Sequence, residues 1–224
     1  MWSETVFRDR TDAGRKLAAR LGGYAGRDDV LVLALPRGGV PVGFEVARAL
    51  GAPLDVMVVR KLGVPGHEEV AMGAVAGGGV RVLNREVVRM LRIPPRLIDE
   101  ETRRERAEVE RRERAYRGDR PAPAVRGRTV LLVDDGIATG STVQAAVAAL
   151  RTQGPARIVV ATPTAPTSTC RTLRREVDEV VCLSTPEPFS ATSLSYAEFP
   201  QLTDGQVREI IERADTLLPA GPRA

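Results

Sequence analysis

The segment that most narrows the fold is Val130–Thr142, which reads VLLVDDGIATGST. Its four leading apolar residues suit a strand buried on both faces, as in a parallel sheet. A glycine-bearing loop follows, then a helix from about Ser141. That order puts the loop at the carboxyl edge of the sheet, where open α/β folds bind ligands. Asp134 and Asp135 stand first in the loop. Two adjacent carboxylates repel unless something accepts them, and a vicinal diol does so, each hydroxyl donating to a carboxylate oxygen. Gly136 and Gly140 then allow tight turns that aim successive N–H groups at an anion. Ile137 and Ala138 lie between them, while Thr139, Ser141 and Thr142 add hydroxyl donors. The helix start adds the positive end of its dipole. Diol-binding acids followed by an anion cradle describe a 5-phosphorylated ribose.

Other β-branched runs repeat the theme. Val30–Leu35, Leu54–Val59, Ile158–Ala161 and Val177–Leu183 read as buried strands, with Pro41–Leu50, Ser141–Gln153 and Ser168–Glu176 as helices between them. Such alternation predicts a parallel sheet covered on both faces. A first helix is expected from about Thr11, capped by that residue and ended by Gly22-Gly23. A last one runs from Thr203 to Leu218, with Thr203 and Gln206 as a capping box. LVLALPRGGVPVGFEVARAL has the same layout as VLLVDDGIATGSTVQAAVAAL, so two βα units are expected to face one site. In PRGGV, Gly38 and Gly39 permit close backbone approach and Arg37 supplies a planar cationic fork. Arg60 and Lys61 are placed at the exit of the Leu54–Val59 strand, so that three strand ends converge on one polyanion.

Composition limits the alternatives. The 224 residues fit one domain, and 43% hydrophobic with 28% charged residues is an ordinary globular balance. The 33 Lys and Arg face 29 Asp and Glu, a dispersed excess of +4, and aromatics are only 4%, which argues against a nucleic-acid partner. The first twenty residues hold no apolar leader, and no run approaches the ~18 residues that span a bilayer. Two cysteines, Cys170 and Cys182, and a single His argue against a disulfide framework or a zinc site, so a reducing cytoplasm is expected. Asp99–Arg117 carries 14 charged residues in 19. Its pairs Glu100–Arg104, Glu108–Arg112, Glu110–Arg114 and Glu113–Arg117 predict a solvated helix, within a charged segment of about 95–117. The glycine-rich, alternating stretch at about 62–83 predicts a mobile hairpin with His67, Glu68 and Glu69 at its polar tip.

The string from Asp134 to Thr142 resembles the phosphoribosyl-pyrophosphate (PRPP) signature of type I phosphoribosyltransferases. RKLGVPGHEEVAMGAV is similar to a segment of a bacterial subgroup of that family. The resemblance implies an α/β fold: an open parallel five-stranded sheet with helices on both faces, plus a small hood and a flexible flap. It gives Asp134 and Asp135 the ribose hydroxyls, and Gly136, Ile137, Ala138, Thr139, Gly140, Ser141 and Thr142 the 5-phosphate. Arg37, Gly38, Gly39, Arg60 and Lys61 would take pyrophosphate, the glycine loop often having a non-proline cis or strained peptide. Asp134, Asp135, Arg60 and Lys61 are then the catalytic candidates. Mg²⁺ is implied on substrate oxygens, Asp134 and Asp135 helping indirectly. The base would sit in a hood at about 184–200, where Phe189, Tyr196 and Phe199 are three of the chain's seven Phe and Tyr. His67, Glu68 and Glu69 would meet an incoming nucleophile when the flap closes. Hypoxanthine–guanine enzymes commonly carry Asp where Ala138 stands, which argues against a 6-oxopurine, and the subgroup often has Trp where Ser195 stands. The implied function is Mg²⁺-dependent transfer of 5-phosphoribosyl from PRPP to a nitrogenous acceptor, a nucleobase foremost. The alternative is a PRPP- or nucleotide-responsive regulator without transferase activity. The expected partners are small molecules and a second copy of the chain, not nucleic acid or a membrane.

Overall fold

A computed structural model describes residues 6–218, with the side chains of 68 and 69 left out. Five strands form a parallel sheet: β1 (Val30–Ala34), β2 (Leu54–Val56), β6 (Thr129–Val133), β7 (Arg157–Thr164) and β8 (Glu179–Ser184). Their spatial order is β2-β1-β6-β7-β8. β1 and β6 are central and buried throughout, which is why both read as unbroken apolar runs. Alternate residues feed two cores. Val30, Val32, Leu131 and Val133 face one layer, made by α1 (Arg10–Arg20), α2 (Gly39–Leu50), α4 (Pro95–Arg117) and α7 (Asp204–Leu217). Leu31, Leu33, Val130 and Leu132 face the other, made by α5 (Ser141–Thr152) and α6 (Thr167–Leu173). The expected open sheet with helices on both faces is therefore observed.

A second, antiparallel sheet joins β3 (Val59–Val64), β4 (His67–Ala76) and β5 (Arg81–Leu83), followed by the short helix α3 (Arg85–Met90). It corrects the reading of Leu54–Val59 as one strand. β2 has three residues and a single neighbour, and after Met57 N–H donates to Ala34 O at 2.9 Å the chain leaves the parallel sheet. The apolar run continues because Val56 and Val58 stay in one core and Met57 enters the other. Burial alone does not reveal such a crossing.

Two helices also differ from expectation. The cap of α1 is Asp9, whose carboxylate accepts from Asp12 N–H at 2.7 Å, so Thr11 lies inside the helix. The charged helix α4 is not simply solvated: Ile98, Val109 and Tyr116 join the core, and Arg117 is buried with Asp55 at 3.0 Å. The expected pairs Glu108–Arg112 and Glu113–Arg117 form at 2.6 and 3.1 Å. Arg104 instead takes Glu101 and Glu105, at 2.6 and 3.5 Å. The capping box of Thr203 and Gln206 on α7 is present.

Candidate active site

The loops after β1 and β6 lie side by side, because their strands pair in register, Ala34 opposite Val133. Leu35 N–H donates to Val133 O at 2.8 Å, which carries the contact into the loops. Here the glycines are required by space. A Cβ on Gly38 would fall 1.9 Å from Asp135 Oδ2, and one on Gly39 would fall 2.7 Å from Val133 O. The peptide joining Pro36 to Arg37 is cis. The PRGG backbone is thus pressed against the acid pair, and only residues without a side chain fit there.

Each acid has its own setting. Asp135 accepts from the buried Arg10, Nε to Oδ2 at 2.7 Å, while Arg10 Nη1 donates to Pro200 O at 2.8 Å. The Arg10 guanidinium also lies 3.8 Å over the Phe199 ring, a cation–π contact. The Tyr196 hydroxyl donates to Asp135 O. Asp134 has no such clamp among the described residues, and its Oδ1 accepts only from Asp135 N–H, at 2.9 Å. Desolvation, then the Asp135 charge beside it, pushes the Asp134 carboxyl well above its ordinary value. A site that holds one acid fixed and its neighbour uncompensated is built for a ligand that donates hydrogen bonds or brings positive charge.

Beyond the acids, Ile137 N–H donates to Thr164 O at 2.9 Å and Thr169 Oγ1 donates to Ala138 O at 2.6 Å, tying the loop to β7 and α6. Gly140 has φ +80°, a conformation that side chains disfavour, and caps α5 without a side-chain bond. Ser141 N–H makes a long contact to Thr139 Oγ1, at 3.4 Å, and the next N–H groups of the first turn of α5 face the opening. Thr139 and Ser141 hydroxyls lie 3.1 Å apart at that opening. Lys61 Nζ reaches Ser141 Oγ at 3.4 Å.

A family model described as the phosphoribosyl transferase domain matches residues 6–196. The chain belongs to the phosphoribosyltransferase family. Over 209 residues it is 46% identical to Rv0571c of Mycobacterium tuberculosis, a protein provisionally named a phosphoribosyl transferase. That match takes in 93% of the chain and 47% of the relative, so the chain spans about half the length of the curated relatives it matches. The crystal structure of TT1426 from Thermus thermophilus is 43% identical, covers 93% of this chain and 98% of its own, and superposes with a TM-score of 0.86. AQ2163 from Aquifex aeolicus shares the fold alone, at 12% identity and a TM-score of 0.50, over 82% of this chain and 77% of its own.

Within this chain the other expected site residues take unequal places. Arg60 and Lys61 do not end a strand of the parallel sheet; they open β3, paired with Val75 and Ala74 of β4. Arg60 is engaged by Glu105, Nε to Oε2 at 2.6 Å. Arg37 stands half-exposed, 3.7 Å from Asp204 Oδ1, which also accepts from Tyr116 OH at 2.9 Å. Burial, then the Asp204 contact, pushes the Tyr116 hydroxyl up to about 12. His67 is exposed at the start of β4, beyond the Gly66 turn, while the Glu68 and Glu69 side chains lie outside those described. Tyr196 is not free to stack on a base: it is buried against Phe7 and Phe199, with ring centroids 5.5 and 4.9 Å away. Phe199 is occupied by Arg10. Phe189 alone of the three lines an open hollow, of about 210 Å³, beside Ser190 and Leu194. Sequence reasoning missed Arg10 and Asp204. Arg10 meets Asp135 from 125 residues away and Asp204 meets Tyr116 from 88, and no local motif marks either as a site residue.

Proposed function

We propose that this protein transfers 5-phosphoribosyl from PRPP to a nitrogenous acceptor and releases pyrophosphate. The observation that carries the reading is the meeting of Asp134, the glycine-lined PRGG loop and the uncapped start of α5 at the carboxyl ends of two neighbouring strands. Asp134 faces the ribose hydroxyls, its raised affinity for protons relieved by their donated hydrogen bonds. Asp135, held by Arg10 and Tyr196, fixes the loop that carries it. The loop N–H groups from Ala138 onward, with the start of α5, take the 5-phosphate, Ile137 N–H being held by Thr164 O. Arg37, Arg60 and Lys61 take pyrophosphate, stabilising the charge that builds on it as the C1–O bond breaks and the ribose becomes cationic.

No group of three or more His, Cys, Asp or Glu side chains that would hold a metal occurs among the described residues. Asp134 and Asp135 would help indirectly to hold a Mg²⁺ that arrives with PRPP. Bound there, the ion would neutralise leaving-group charge. Ala138 is exposed and offers no acid or base to an acceptor, so acceptor proton transfer falls to other groups or to solvent.

The test is incubation with PRPP, Mg²⁺ and a panel of bases and amines, followed by detection of pyrophosphate and new nucleotides. Acceptor-dependent release supports transfer. PRPP binding without release across a broad panel would make the protein a sensor.

A further inference from the structure

A cleft of about 460 Å³ lies between β3, the start of α5 and the charged helix α4. Arg60 and Lys61 line one side, and Arg104 and Arg112 of α4 line the other. We propose that α4 is a wall of the leaving-group site, with Arg104 and Arg112 binding the distal phosphate of pyrophosphate. This rests on the PRPP reading above and extends it to a helix that the sequence presents as a solvated surface.

Glu101, Arg104, Glu105, Glu108 and Arg112 are spaced by three and four, so they share one stripe of α4. Glu101 and Glu105 are buried at the base of the cleft. Glu105 holds Arg60 at 2.6 Å and thereby fixes a cation of β3 against α4. Arg104 and Arg112 are the more exposed members, with side chains 67% and 30% accessible. The carboxylates they meet lie on their own helix: Arg104 meets the buried Glu101 and Glu105, and Arg112 meets Glu108, itself 30% accessible. Phosphate oxygens accept a guanidinium fork at least as well as a carboxylate does, so an arriving polyanion can recruit both arginines without unfolding anything. The cleft is also continuous with the chemistry already described. Thr142 at the start of α5 and Pro36 of the PRGG loop both border it. Four cations against two carboxylates leave the lining positive, as a pyrophosphate site requires.

The experiment is calorimetric titration of wild type, Arg104→Ala/Arg112→Ala and Arg104→Lys/Arg112→Lys with PRPP, inorganic pyrophosphate and ribose 5-phosphate, all with Mg²⁺. The alanine pair should weaken PRPP and pyrophosphate by about 10- to 100-fold and leave ribose 5-phosphate unchanged, which also shows that the fold is intact. The lysine pair should fall between. Unchanged PRPP affinity in the alanine pair overturns the proposal, as does an equal loss for all three ligands. Failure of wild type to bind ribose 5-phosphate would instead sink the underlying reading of the Asp134–Thr142 loop, whatever α4 does.

Discussion

The two sides of the cleft are held by different means. On the Asp135 side the parts are locked: Arg10 is buried against the carboxylate, Tyr196 holds its backbone, and Gly38 lies too close for any side chain. On the α4 side, Arg104 and Arg112 rest on carboxylates of their own helix and remain open to water. A ribose ring must be held in one orientation while its bond breaks, which favours a preformed wall. A pyrophosphate must enter and leave, which favours cations whose partners exchange. On the proposed reading, rigidity falls to the sugar side and exchangeability to the leaving-group side.

Substitutions on the two sides should separate accordingly. Arg10→Ala leaves Asp135 charged, largely buried and unpaired, so it should cost about 3–5 kcal/mol of stability. In a chain of this size that is roughly 10 °C in melting temperature; a loss below 1 kcal/mol in denaturant titration would break the idea of a locked wall. Gly38→Ala forces the Asp135 carboxylate to move, and a displacement near 1 Å should lower kcat/KM about 100-fold, measured by pyrophosphate release. Asp134→Asn sharpens the comparison in the opposite direction. A carboxyl whose folded pKa is raised costs stability above that pKa, and the cost fades as pH falls toward its ordinary value of 3.8. The variant should therefore be more stable than wild type by about 1–2 kcal/mol at neutral pH, with the gain gone near pH 3.8, while turnover is lost. Smallest of all, Arg104→Ala should change stability by no more than about 0.5 kcal/mol, since its side chain is mostly solvent-exposed.

What the sequence disclosed follows the same division. The shape of the Asp134–Thr142 loop was legible because its strand, acids, glycines and helix start are contiguous. The PRGG loop was legible because β1 and β6 announce themselves as buried parallel strands. The α4 side of the cleft was not. Arg60 and Lys61 were found as cations but assigned to the wrong sheet, since a run buried in two successive cores looks like one strand. Arg104 and Arg112 were hidden among fourteen charged residues, because i,i+4 pairing describes a solvated helix and a cleft wall equally well. Tyr196 and Phe199 drew attention as aromatics, yet their surfaces are taken by Phe7 and Arg10. Arg10 itself, 125 residues from Asp135, had no local signature.

The central claim is that the acid pair and its loop hold the phosphoribosyl group. Titration of PRPP and Mg²⁺ into wild type and into Asp134→Asn/Asp135→Asn tests it most directly. Clear binding to wild type and an affinity at least about 100-fold weaker in the double variant are expected, given charged hydrogen bonds lost to two hydroxyls. Equal affinity in the two proteins, with the double variant still folded, would contradict it.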